Sequence, residues 1–274
     1  MGVEPLQPPA LWVIGGTSDS ILMATELANR GIPCLVTVTT AAARQRYPEN
    51  QQLRVRVGAL EPGELPEFIQ QENIGAVVDA SHPFAVEISR GAIAAAQALQ
   101  IPYWRYERPR VELGNTSSIN YVPGLNAVLT GEFLLGERVL LILGYRWLAH
   151  FRPWQARATL FARIWPSEPA LKAALAAGFT PDRLIALRPP ICLELETALW
   201  RQWQISRVIS KASGKAGGES VKAEVAETLG IPLTIIDRPT QHYPNSYGCH
   251  DQITAVCQQW WRSVNHCPEI ESIR

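Results

Sequence analysis

The chain alternates short apolar runs with amphipathic stretches, joined by a few polar or glycine-rich residues. Short runs rich in Val and Ile predict buried strands, whereas apolar residues spaced three and four apart predict helices. Gly31 is predicted to end a helix and Pro83 to begin one, as their positional preferences favour. The first half is thus predicted to contain strands at 11–14, 32–39, 53–57, 76–79 and 102–106, and helices at 20–30, 63–71 and from Pro83 onward.

The alternation resumes after a segment rich in glycine, asparagine, serine and proline at 110–126, which we interpret as a linker. Strands that alternate with helices indicate an α/β fold with parallel sheets. Further strands are predicted at 139–143, 159–165, 184–187, 207–210 and 232–236, and helices at 145–151, 169–177, 192–202, 219–229 and 252–264. The predicted organisation is a flexible lead (1–10), a first domain (11–112), a linker (113–126), a second domain (127–247) and a C-terminal helix with a tail (248–274).

Two segments of the chain share one plan: a strand, a polar loop, a helix, Ile-Pro and an apolar run before Arg-Pro. This repeat predicts two similar α/β halves with loops at corresponding sheet edges. Ligands of open α/β sheets bind past the carboxyl ends of the strands, so both loops are candidate site elements. The matching residues are Leu99, Ile101, Pro102, Arg108 and Pro109 in the first segment and Leu229, Ile231, Pro232, Arg238 and Pro239 in the second.

Several motifs spread over residues 11 to 239 carry a family resemblance: WVIGGT at 12–17, DASHPFA at 79–85, ERP at 107–109, LG at 143–144, Pro190, SKASG at 210–214 and RP at 238–239. By these motifs the chain resembles the precorrin-6A reductases, NADPH-dependent enzymes that reduce one double bond of the corrin macrocycle in cobalamin synthesis. Ala212 departs from the family, which usually has Asn or Asp there, and Lys215 and Ala216 separate the glycines that follow. The resemblance and the pattern together imply two Rossmann-like three-layer α/β/α domains, with mostly parallel sheets and a ligand cleft between them.

A Gly-Gly-Thr turn follows the first predicted strand, where glycines let a pyrophosphate approach backbone N–H groups at a helix N-terminus. A plain tight turn is the alternative. NAD-selective sites place an acid at the end of the second strand, but here two threonines stand there with arginines nearby. Hydroxyls and a guanidinium suit a 2′-phosphate, so NADPH is favoured over NADH, unless these arginines are merely solvated. The predicted cofactor-binding residues are Gly15, Gly16, Thr17, Thr39, Thr40, Arg44 and Ser81.

The loop after the fourth predicted strand contains Asp79 and His82, near the expected position of the nicotinamide. His82 could donate a proton, because an unperturbed imidazole titrates near neutrality. It could instead cap the helix and orient the loop, and we favour this role because the cofactor carries the chemistry of hydride transfer. Asp79 and His82 are the predicted catalytic residues.

The corresponding loop of the second half contains Lys211, Ser213 and Gly214. The resemblance implies a precorrin substrate, whose many acetate and propionate groups need cations and N–H donors. An equally good interpretation of the two Arg-Pro motifs is that Arg108 and Arg238 pair with local acids and lock matching turns. The predicted substrate-binding residues are Lys211, Ser213, Gly214, Arg105 and Arg108.

Composition excludes several classes of function. With 25 basic and 25 acidic residues the chain has no net charge at pH 7, whereas a nucleic-acid partner favours a basic face. No apolar run approaches the roughly 20 residues of a membrane span, and the first ten residues do not read as a signal peptide. We therefore expect a cytoplasmic protein, a monomer or homodimer, without nucleic-acid or membrane partners.

The cysteines and histidines do not form a recognisable metal or disulfide pattern. Five cysteines without CxxC spacing argue against a disulfide framework. Residues near the C-terminus lack the paired spacing of zinc ligands, so we expect no metal site. They are His242, Cys249, His250, Cys257, His266 and Cys267.

Two other classes of function share parts of this pattern. A two-lobed ligand-binding protein also pairs α/β lobes, but such proteins are usually secreted, and the chain shows no export signal. A methyltransferase would use the glycine turn for S-adenosylmethionine, but an acid would be expected near Thr39. Titration with NADPH, NADH and S-adenosylmethionine separates the three functions.

Overall fold

The structure is a computed structural model that describes residues 8–113 and 117–265. Contacts within the chain divide it into two compact units. Unit 1 combines the residues up to Arg108 with those from Gln241 onward, and unit 2 comprises Pro109–Thr240. The chain therefore builds most of unit 1, then unit 2, and returns to unit 1 for its last described strand and helix.

Unit 1 is built on a six-stranded parallel sheet. Its strands are β1 (Ala10–Ile14), β2 (Cys34–Val38), β3 (Leu53–Val57), β4 (Ile74–Asp79), β5 (Tyr103–Tyr106) and β12 (Ser246–Tyr247). They lie in the order β12-β5-β4-β1-β2-β3. Val13 of β1 pairs with Val36 of β2 on one side and Val78 of β4 on the other. These central strands are covered on both faces, which explains their continuous apolar sequences.

Helices cover both faces of this sheet. They are α1 (Ser18–Asn29), α2 (Ala41–Arg44), α3 (Leu65–Gln71), α4 (Val86–Ala98) and α9 (His250–Asn265). Leu11 and Val13 of β1 belong to one core with residues of α1 and α9. Trp12 and Ile14 belong to a second core with residues of α3 and α4. Unit 1 thus has three layers, because alternate residues of a strand point to opposite faces.

Unit 2 contains a second six-stranded parallel sheet. Its strands are β6 (Ile119–Val122), β7 (Arg138–Ile142), β8 (Thr159–Ile164), β9 (Leu184–Ala186), β10 (Arg207–Lys211) and β11 (Leu233–Ile236), in the order β6-β11-β10-β7-β8-β9. Its helices are α5 (Leu125–Thr130), α6 (Glu168–Ala176), α7 (Leu193–Gln202) and α8 (Glu219–Leu229). Leu140 and Val208 pack with α7 and α8, and their neighbours Val139 and Ile209 are also fully buried.

The two sheets share one strand order. Taken from β1 and from β7, the first five strands of each unit follow the order 3-2-1-4-5, which is that of a Rossmann fold. The sixth place is filled by β12 in unit 1 and by β6 in unit 2. The direction of winding reverses between β1 and β4, and between β7 and β10, and these switch points are where such sheets bind ligands. The predicted fold class of two Rossmann-like α/β domains is confirmed.

The predicted linker differs from the structure. Residues 114–116 lie outside the described part of the chain, but β6 and the start of α5 fall within 113–126. Tyr121 of β6 pairs with Ile235 of β11 at the edge of the sheet. The glycines and prolines of this segment flank a four-residue strand, which is too short to stand out by its own hydrophobic pattern.

The C-terminal helix and one helix start also differ from prediction. Helix α9, expected apart from the first domain, packs into unit 1, where Ile253 and Cys257 are fully buried. Pro83 lies in a turn, and α4 begins at Val86. The backbone N–H of Ala85 donates to the carbonyl of His82 at 2.7 Å, so the loop closes on itself before the helix begins.

Candidate functional site

The switch point of unit 1 ties together the loops that follow β1 and β4. Thr17 Oγ1 donates a hydrogen bond of 2.9 Å to the carbonyl of Ala80. The same hydroxyl caps α1 by accepting from the Ser20 N–H at 3.0 Å, and Ser20 Oγ accepts from the Thr17 N–H at 3.1 Å. This reciprocal capping fixes the first turn of α1 against the end of β4. The structure thus brings the predicted Thr17 next to the Asp79–His82 loop.

Two glycines of the first turn have different requirements. A Cβ on Gly15 would lie 2.5 Å from the Tyr47 hydroxyl and 2.6 Å from a Val36 methyl group, so the turn leaves no room for a side chain. Gly16 has φ +99°, and a Cβ there would meet nothing within 4 Å among the described residues. Gly15 therefore serves packing, while Gly16 combines a conformation that favours glycine with open space beside the backbone.

Tyr47 completes this turn and was not foreseen from the sequence. Its buried hydroxyl accepts from the Gly16 N–H at 3.1 Å and lies 2.8 Å from Ser20 Oγ. Burial raises the pKa of Tyr47, while hydrogen bonds from Gly16 and Ser20 oppose that rise. Because the Gly16 N–H is engaged by Tyr47, a ligand at α1 would be held by the N–H groups of the helix's first turn.

Asp19, in the first turn of α1, forms a hydrogen-bonded ion pair with Arg108. The two side chains are 17% and 10% exposed. Arg108 was predicted to bind substrate, with pairing to an acid as the alternative, and its guanidinium lies on this acid 89 positions earlier in the chain. It therefore locks the segment after β5 onto α1.

The loop after β2 exposes the predicted 2′-phosphate residues. Thr39 and Thr40 are exposed, and Thr40 Oγ1 caps α2 by accepting from the Ala43 N–H at 3.2 Å. Arg44 is also exposed, in the last turn of α2. Arg46, two residues on, reaches back to α1 and donates to Ser18 Oγ at 3.0 Å. The arginine that the structure brings to the first turn is thus Arg46.

Asp79 lies at the end of β4 and is fully buried. Its carboxylate accepts four hydrogen bonds: from the Ser81 N–H at 3.0 Å, Ser89 Oγ at 2.6 Å, Tyr103 Oη at 2.6 Å and Arg105 Nη1 at 2.8 Å. Burial would raise the pKa of Asp79, but Arg105 and these donors together lower it. Asp79 is therefore an ionised anchor beneath the loop, with both oxygens engaged.

Arg105 was predicted to bind substrate, and the structure places its side chain completely in the interior. Besides Asp79 it donates to Ser81 Oγ at 3.0 Å and, through Nε, to Glu107 at 3.0 Å. Its guanidinium lies 4.8 Å from the ring centroid of Tyr243. Arg105 therefore neutralises Asp79 and holds the Ser81 hydroxyl, which was predicted to contact the cofactor.

His82 follows this anchor and is partly exposed. Its Nδ1 accepts a hydrogen bond of 3.2 Å from the Phe84 N–H. In the neutral ring the proton must then lie on Nε2, because one ring nitrogen accepts and the other donates. The loop therefore fixes the tautomer of His82 and makes Nε2 a donor.

The switch point of unit 2 contains Lys211, at the end of β10. Its Nζ lies 3.5 Å from the ring centroid of Trp147, in the 3₁₀ segment after β7 (Tyr145–Trp154). Burial, and to a smaller extent the positive charge of the neighbouring Arg146, lower the pKa of Lys211 to about 8. The loops after β7 and β10 thus meet through a cation over an aromatic face, and a second cation lies close by.

Ser213 and Gly214 open the loop between β10 and α8 and are both buried. The Gly214 N–H donates to Glu219 Oε2 at 2.8 Å. A Cβ on Gly217 would lie 1.9 Å from Ser213 Oγ, so these two residues pack directly against each other. The loop is therefore compact and held by internal contacts.

The second Arg-Pro motif mirrors the first. Arg238, after β11, donates through Nε to the carbonyl of Ala212 at 3.0 Å. Its backbone N–H donates to Asp237 at 2.7 Å, and Asp237 accepts from Arg110 at 2.8 Å. Arg108 follows β5 and Arg238 follows β11, the fifth strand of each unit in the common order. Each of the two arginines therefore holds a segment that follows another strand of its own sheet.

The described residues contain no group of three or more His, Cys, Asp or Glu side chains arranged to hold a metal ion, and His266 and Cys267 lie outside them. His250 instead pairs through Nδ1 with Glu26 at 3.2 Å. None of the helices described in residues 8–113 and 117–265 is long and apolar enough to cross a membrane.

A model of the family described as precorrin-6x reductase CbiJ/CobK matches residues 10–258, which include strands of both sheets and the loops just described. The chain belongs to this family. It is therefore an oxidoreductase of the precorrin-6A reductase type, a class of enzyme in cobalamin biosynthesis.

Known proteins that resemble the chain carry matching names. A cobalt-precorrin-6A reductase of Synechocystis is 50% identical over 250 residues, which cover 91% of this chain and 96% of that protein. A precorrin-6A reductase of Rhodobacter capsulatus is 30% identical over 231 residues, covering 84% and 88%. A solved structure described as CobK precorrin-6A reductase superposes with a TM-score of 0.78 at 24% identity, covering 92% and 97%, and supports the fold.

The predicted site residues separate into two groups. Gly15, Gly16, Thr17 and the β4 loop share the switch point of unit 1, while Lys211, Ser213 and Gly214 belong to unit 2. Residues that sequence reasoning missed are Tyr47, Ser89, Tyr103, Trp147, Glu219 and Lys222. Lys222 and Glu219 carried one usable signal, since both lie on the predicted helix directly after the SKASG motif.

Proposed function

We propose that the chain reduces one double bond of precorrin-6A, or of its cobalt form, to give precorrin-6B or its cobalt form, with NADPH as the reductant. Family membership and the relatives' names support the reaction class. Both the cobalt and the metal-free substrate occur in those names, so the proposal covers both.

The observation that carries the cofactor assignment is the first turn of unit 1. Gly16 faces open space at φ +99°, directly before the 12-residue helix α1. A helix N-terminus offers N–H groups and a positive dipole end to a pyrophosphate. Thr17 fastens this turn to the β4 loop through the Ala80 carbonyl, so the turn is rigid before any ligand arrives. These features fit a dinucleotide.

The loop after β2 supports NADPH over NADH. Thr39 and Thr40 expose their side chains where an NAD-selective fold would have an acid. Arg44 is exposed nearby, and Arg46 donates to Ser18 at the start of α1. We assign Thr39, Thr40 and Arg44 to the 2′-phosphate as predicted, and add Arg46, because a guanidinium binds a phosphate dianion through paired N–H donors.

Within the β4 loop we assign Asp79 to positioning and His82 to contact with the ligand. Asp79 is buried with both carboxylate oxygens hydrogen-bonded, so it holds Ser81 in place and does not itself touch substrate. His82 offers Nε2 as a donor, because its Nδ1 accepts from Phe84. NADPH, when bound, supplies the hydride equivalent. His82 then orients the reacting partners through its donor, and solvent supplies the proton.

The substrate assignment rests on unit 2. Lys211 presents an ammonium group beside Trp147, with Arg146 adding positive charge. Acetate and propionate groups of a precorrin are the anions that such a cationic edge attracts. Ser213 and Gly214, in the adjoining loop, complete the predicted substrate set. Arg105 leaves that set because it is buried, and Arg108 acts instead by holding α1 through Asp19.

Calorimetric titration with NADPH, NADH and S-adenosylmethionine tests the proposal, followed by turnover of precorrin-6A monitored by its absorbance. The expected result is that NADPH binds most tightly and that the macrocycle is reduced only when it is present. Binding of S-adenosylmethionine without NADPH would instead favour a methyltransferase. Tight binding of the macrocycle with no reduction would favour a ligand-binding protein.

A further inference from the structure

The loop that joins β10 to α8 is held from below by two buried side chains of α8. We call residues 213–218 the β10–α8 loop. Glu219 and Lys222, on the first two turns of α8, are each 2% exposed. Charged side chains are seldom buried so completely unless they are paired, so the partners of these two residues indicate their purpose.

Glu219 holds the first half of the β10–α8 loop. Its Oε2 accepts the Gly214 N–H at 2.8 Å, and its Oε1 lies 3.3 Å from the Tyr121 hydroxyl of β6. Gly214 has φ +74°, a conformation that favours glycine. A carboxylate bonded to this N–H therefore fixes the backbone where the chain leaves the sheet.

Lys222 holds the second half of the same loop. Its Nζ donates to the carbonyl of Gly217 at 3.1 Å and to Ser210 Oγ, on β10, at 2.7 Å. Burial lowers the pKa of Lys222 to about 8, with Arg163 acting in the same direction and the carboxylates of Glu196 and Glu219 opposing it. Burying an ammonium group costs free energy that an apolar side chain would avoid. Because the ammonium group bonds both to β10 and to the loop, Lys222 fixes the position of the loop and does not add to the stability of the fold.

Ala212 and Glu219, the two residues that flank the β10–α8 loop, line a cavity. A cavity of about 790 Å³ in unit 2 is lined by Arg110, Tyr121, Ala212, Glu219 and Arg238, among others. The lining contains two guanidinium groups, those of Arg110 and Arg238, and the carboxyl groups of Glu112, Glu219 and Asp237, and Arg110 is paired with Asp237 at 2.8 Å. Glu219 therefore holds the loop on one side and borders this cavity on the other.

Unit 1 secures its matching loop from the same place. Ser89 of α4 occupies the position that corresponds to Glu219 in the internal repeat, and it donates to Asp79 at 2.6 Å. Both residues are buried near the N-terminus of the helix that follows the loop. The two halves of the repeat thus carry different residues, Ser89 and Glu219, at one position, and in each half that residue bonds to the end of a strand or to the loop after it. This correspondence argues against a chance contact between Glu219 and Gly214.

We propose that Lys222 and Glu219 are positioning residues that hold the β10–α8 loop in the conformation that receives a carboxylate group of the macrocycle. The proposal rests on the proposed function for the identity of the ligand. The positioning itself concerns only unit 2 and is testable without any ligand.

The first experiment replaces Lys222 by Met, a side chain of similar length that fills the site without charge. Hydrogen exchange measured by mass spectrometry should show peptides containing residues 213–218 exchanging on the order of tenfold faster, because the loop loses a charged hydrogen bond. The apparent KM for precorrin-6A should rise by about tenfold or more while kcat changes little. The Kd for NADPH should stay unchanged. Lys172→Met is the matched control, because Lys172 is 75% exposed on α6 of the same unit.

A second variant disturbs the same loop and leaves the Lys222 side chain itself unchanged. Gly217→Ala introduces a Cβ only 1.9 Å from Ser213 Oγ and 2.5 Å from Ser213 Cβ, so the loop must shift. It should reproduce the higher KM and the faster exchange, and it decides the question if Lys222→Met does not fold.

The outcomes separate the two proposals. Unchanged exchange of the loop in folded Lys222→Met, or an unchanged KM in both variants, overturns the positioning role. A wild-type protein that does not reduce precorrin-6A refutes the proposed function, while the exchange measurement still decides whether Lys222 positions the loop.

Discussion

The strongest structural test of the candidate site is the substitution Asp79→Asn. Asp79 and Arg105 form an ion pair of 2.8 Å in which neither side chain is exposed to solvent. The substitution preserves the shape of the side chain but removes its charge and replaces one acceptor oxygen with an N–H donor. The N–H groups of Ser81 and Arg105 share one carboxylate oxygen, and the hydroxyl groups of Ser89 and Tyr103 share the other. An amide therefore fits only if both hydroxyl groups turn to accept. Arg105 would keep a buried charge with only Glu107 to balance it.

The expected decrease in the free energy of unfolding follows from these contacts. Removing one partner of a buried ion pair typically costs about 3–5 kcal/mol, because the remaining charge is left uncompensated. An exposed pair in the same unit gives the comparison. Arg54 and Glu72 are 3.0 Å apart but 64% and 27% exposed, so Glu72→Gln should cost less than about 1 kcal/mol.

Urea unfolding at neutral pH, followed by circular dichroism and tryptophan fluorescence, measures both losses. Two probes are needed because the two units need not unfold together. The double variant Asp79→Asn with Arg105→Met should recover a large part of the loss, since it removes the unpaired charge together with its partner. The free energy of NADPH binding, measured well below the melting temperature, should decrease less than the free energy of unfolding.

The pH dependence gives an independent check. Because the pKa of Asp79 is lowered from 3.8 in the folded protein, its contribution is complete above pH 3.8 and is lost as the pH falls through the folded value. The difference between wild type and Asp79→Asn should therefore be constant at neutral pH and shrink only below about pH 4. An Asp79→Asn variant as stable as wild type, with kcat reduced by about 100-fold, would refute the reasoning and give Asp79 a direct chemical role.

Three further predictions concern the cofactor turn and the buried lysine. NADPH should bind the wild type at least about tenfold more tightly than NADH in calorimetric titrations. Arg44→Ala or Arg46→Ala should reduce this ratio of dissociation constants. Equal affinities of the wild type for the two cofactors would contradict the 2′-phosphate assignment. Gly16→Val should abolish NADPH binding in a folded protein, as checked by circular dichroism, because the side chain would fill the open space beside the turn; normal affinity would locate the cofactor elsewhere. Between pH 8 and 10.5 the free energy of unfolding of the wild type should rise, relative to that of Lys222→Met, by up to about 1.4 kcal/mol per pH unit. The reason is that the pKa of Lys222 is about 8 in the folded state and 10.5 in the unfolded state, so the unfolded state binds more protons in this range. Parallel pH profiles of the two proteins would contradict the lowered pKa.

The sequence was sufficient for the parts of the fold that depend on local pattern. Central strands such as β1 and β4 are covered on both faces, so their apolar runs predict strands directly. Glycine turns and the polar loops follow those strands, and their common edge is a consequence of parallel pairing. Strand β6 escaped prediction because its four residues lie at a sheet edge, between glycine-rich and proline-containing segments.

The contacts that shape the candidate site could not be predicted in the same way. Tyr47 reaches Gly16 across 31 positions and Arg105 reaches Asp79 across 26. Neither pairing leaves a periodic trace, because each depends on how loops of different strands meet in space. Arg105 also sits in a strand beside ordinary apolar residues, and sequence alone does not distinguish a buried guanidinium from a solvated one. The sequence prediction that Arg105 binds substrate rested on the assumption that its guanidinium is exposed, whereas the structure buries it.

Both switch points balance their buried charges locally, and this balance bears on how each of them attracts its ligand. Beneath the β4 loop, Asp79 is paired with Arg105, and beneath the β10–α8 loop, Lys222 lies near Glu219 and Glu196. Each buried group therefore has an opposite charge close by, so it contributes more to the rigidity of the loop than to the field outside. The outward attraction for anions must then come from cations above the loops, such as Arg46 in unit 1 and Lys211 in unit 2. Substitution of the buried groups should consequently change how well each loop is ordered, whereas substitution of the outer cations should change the salt dependence of ligand binding.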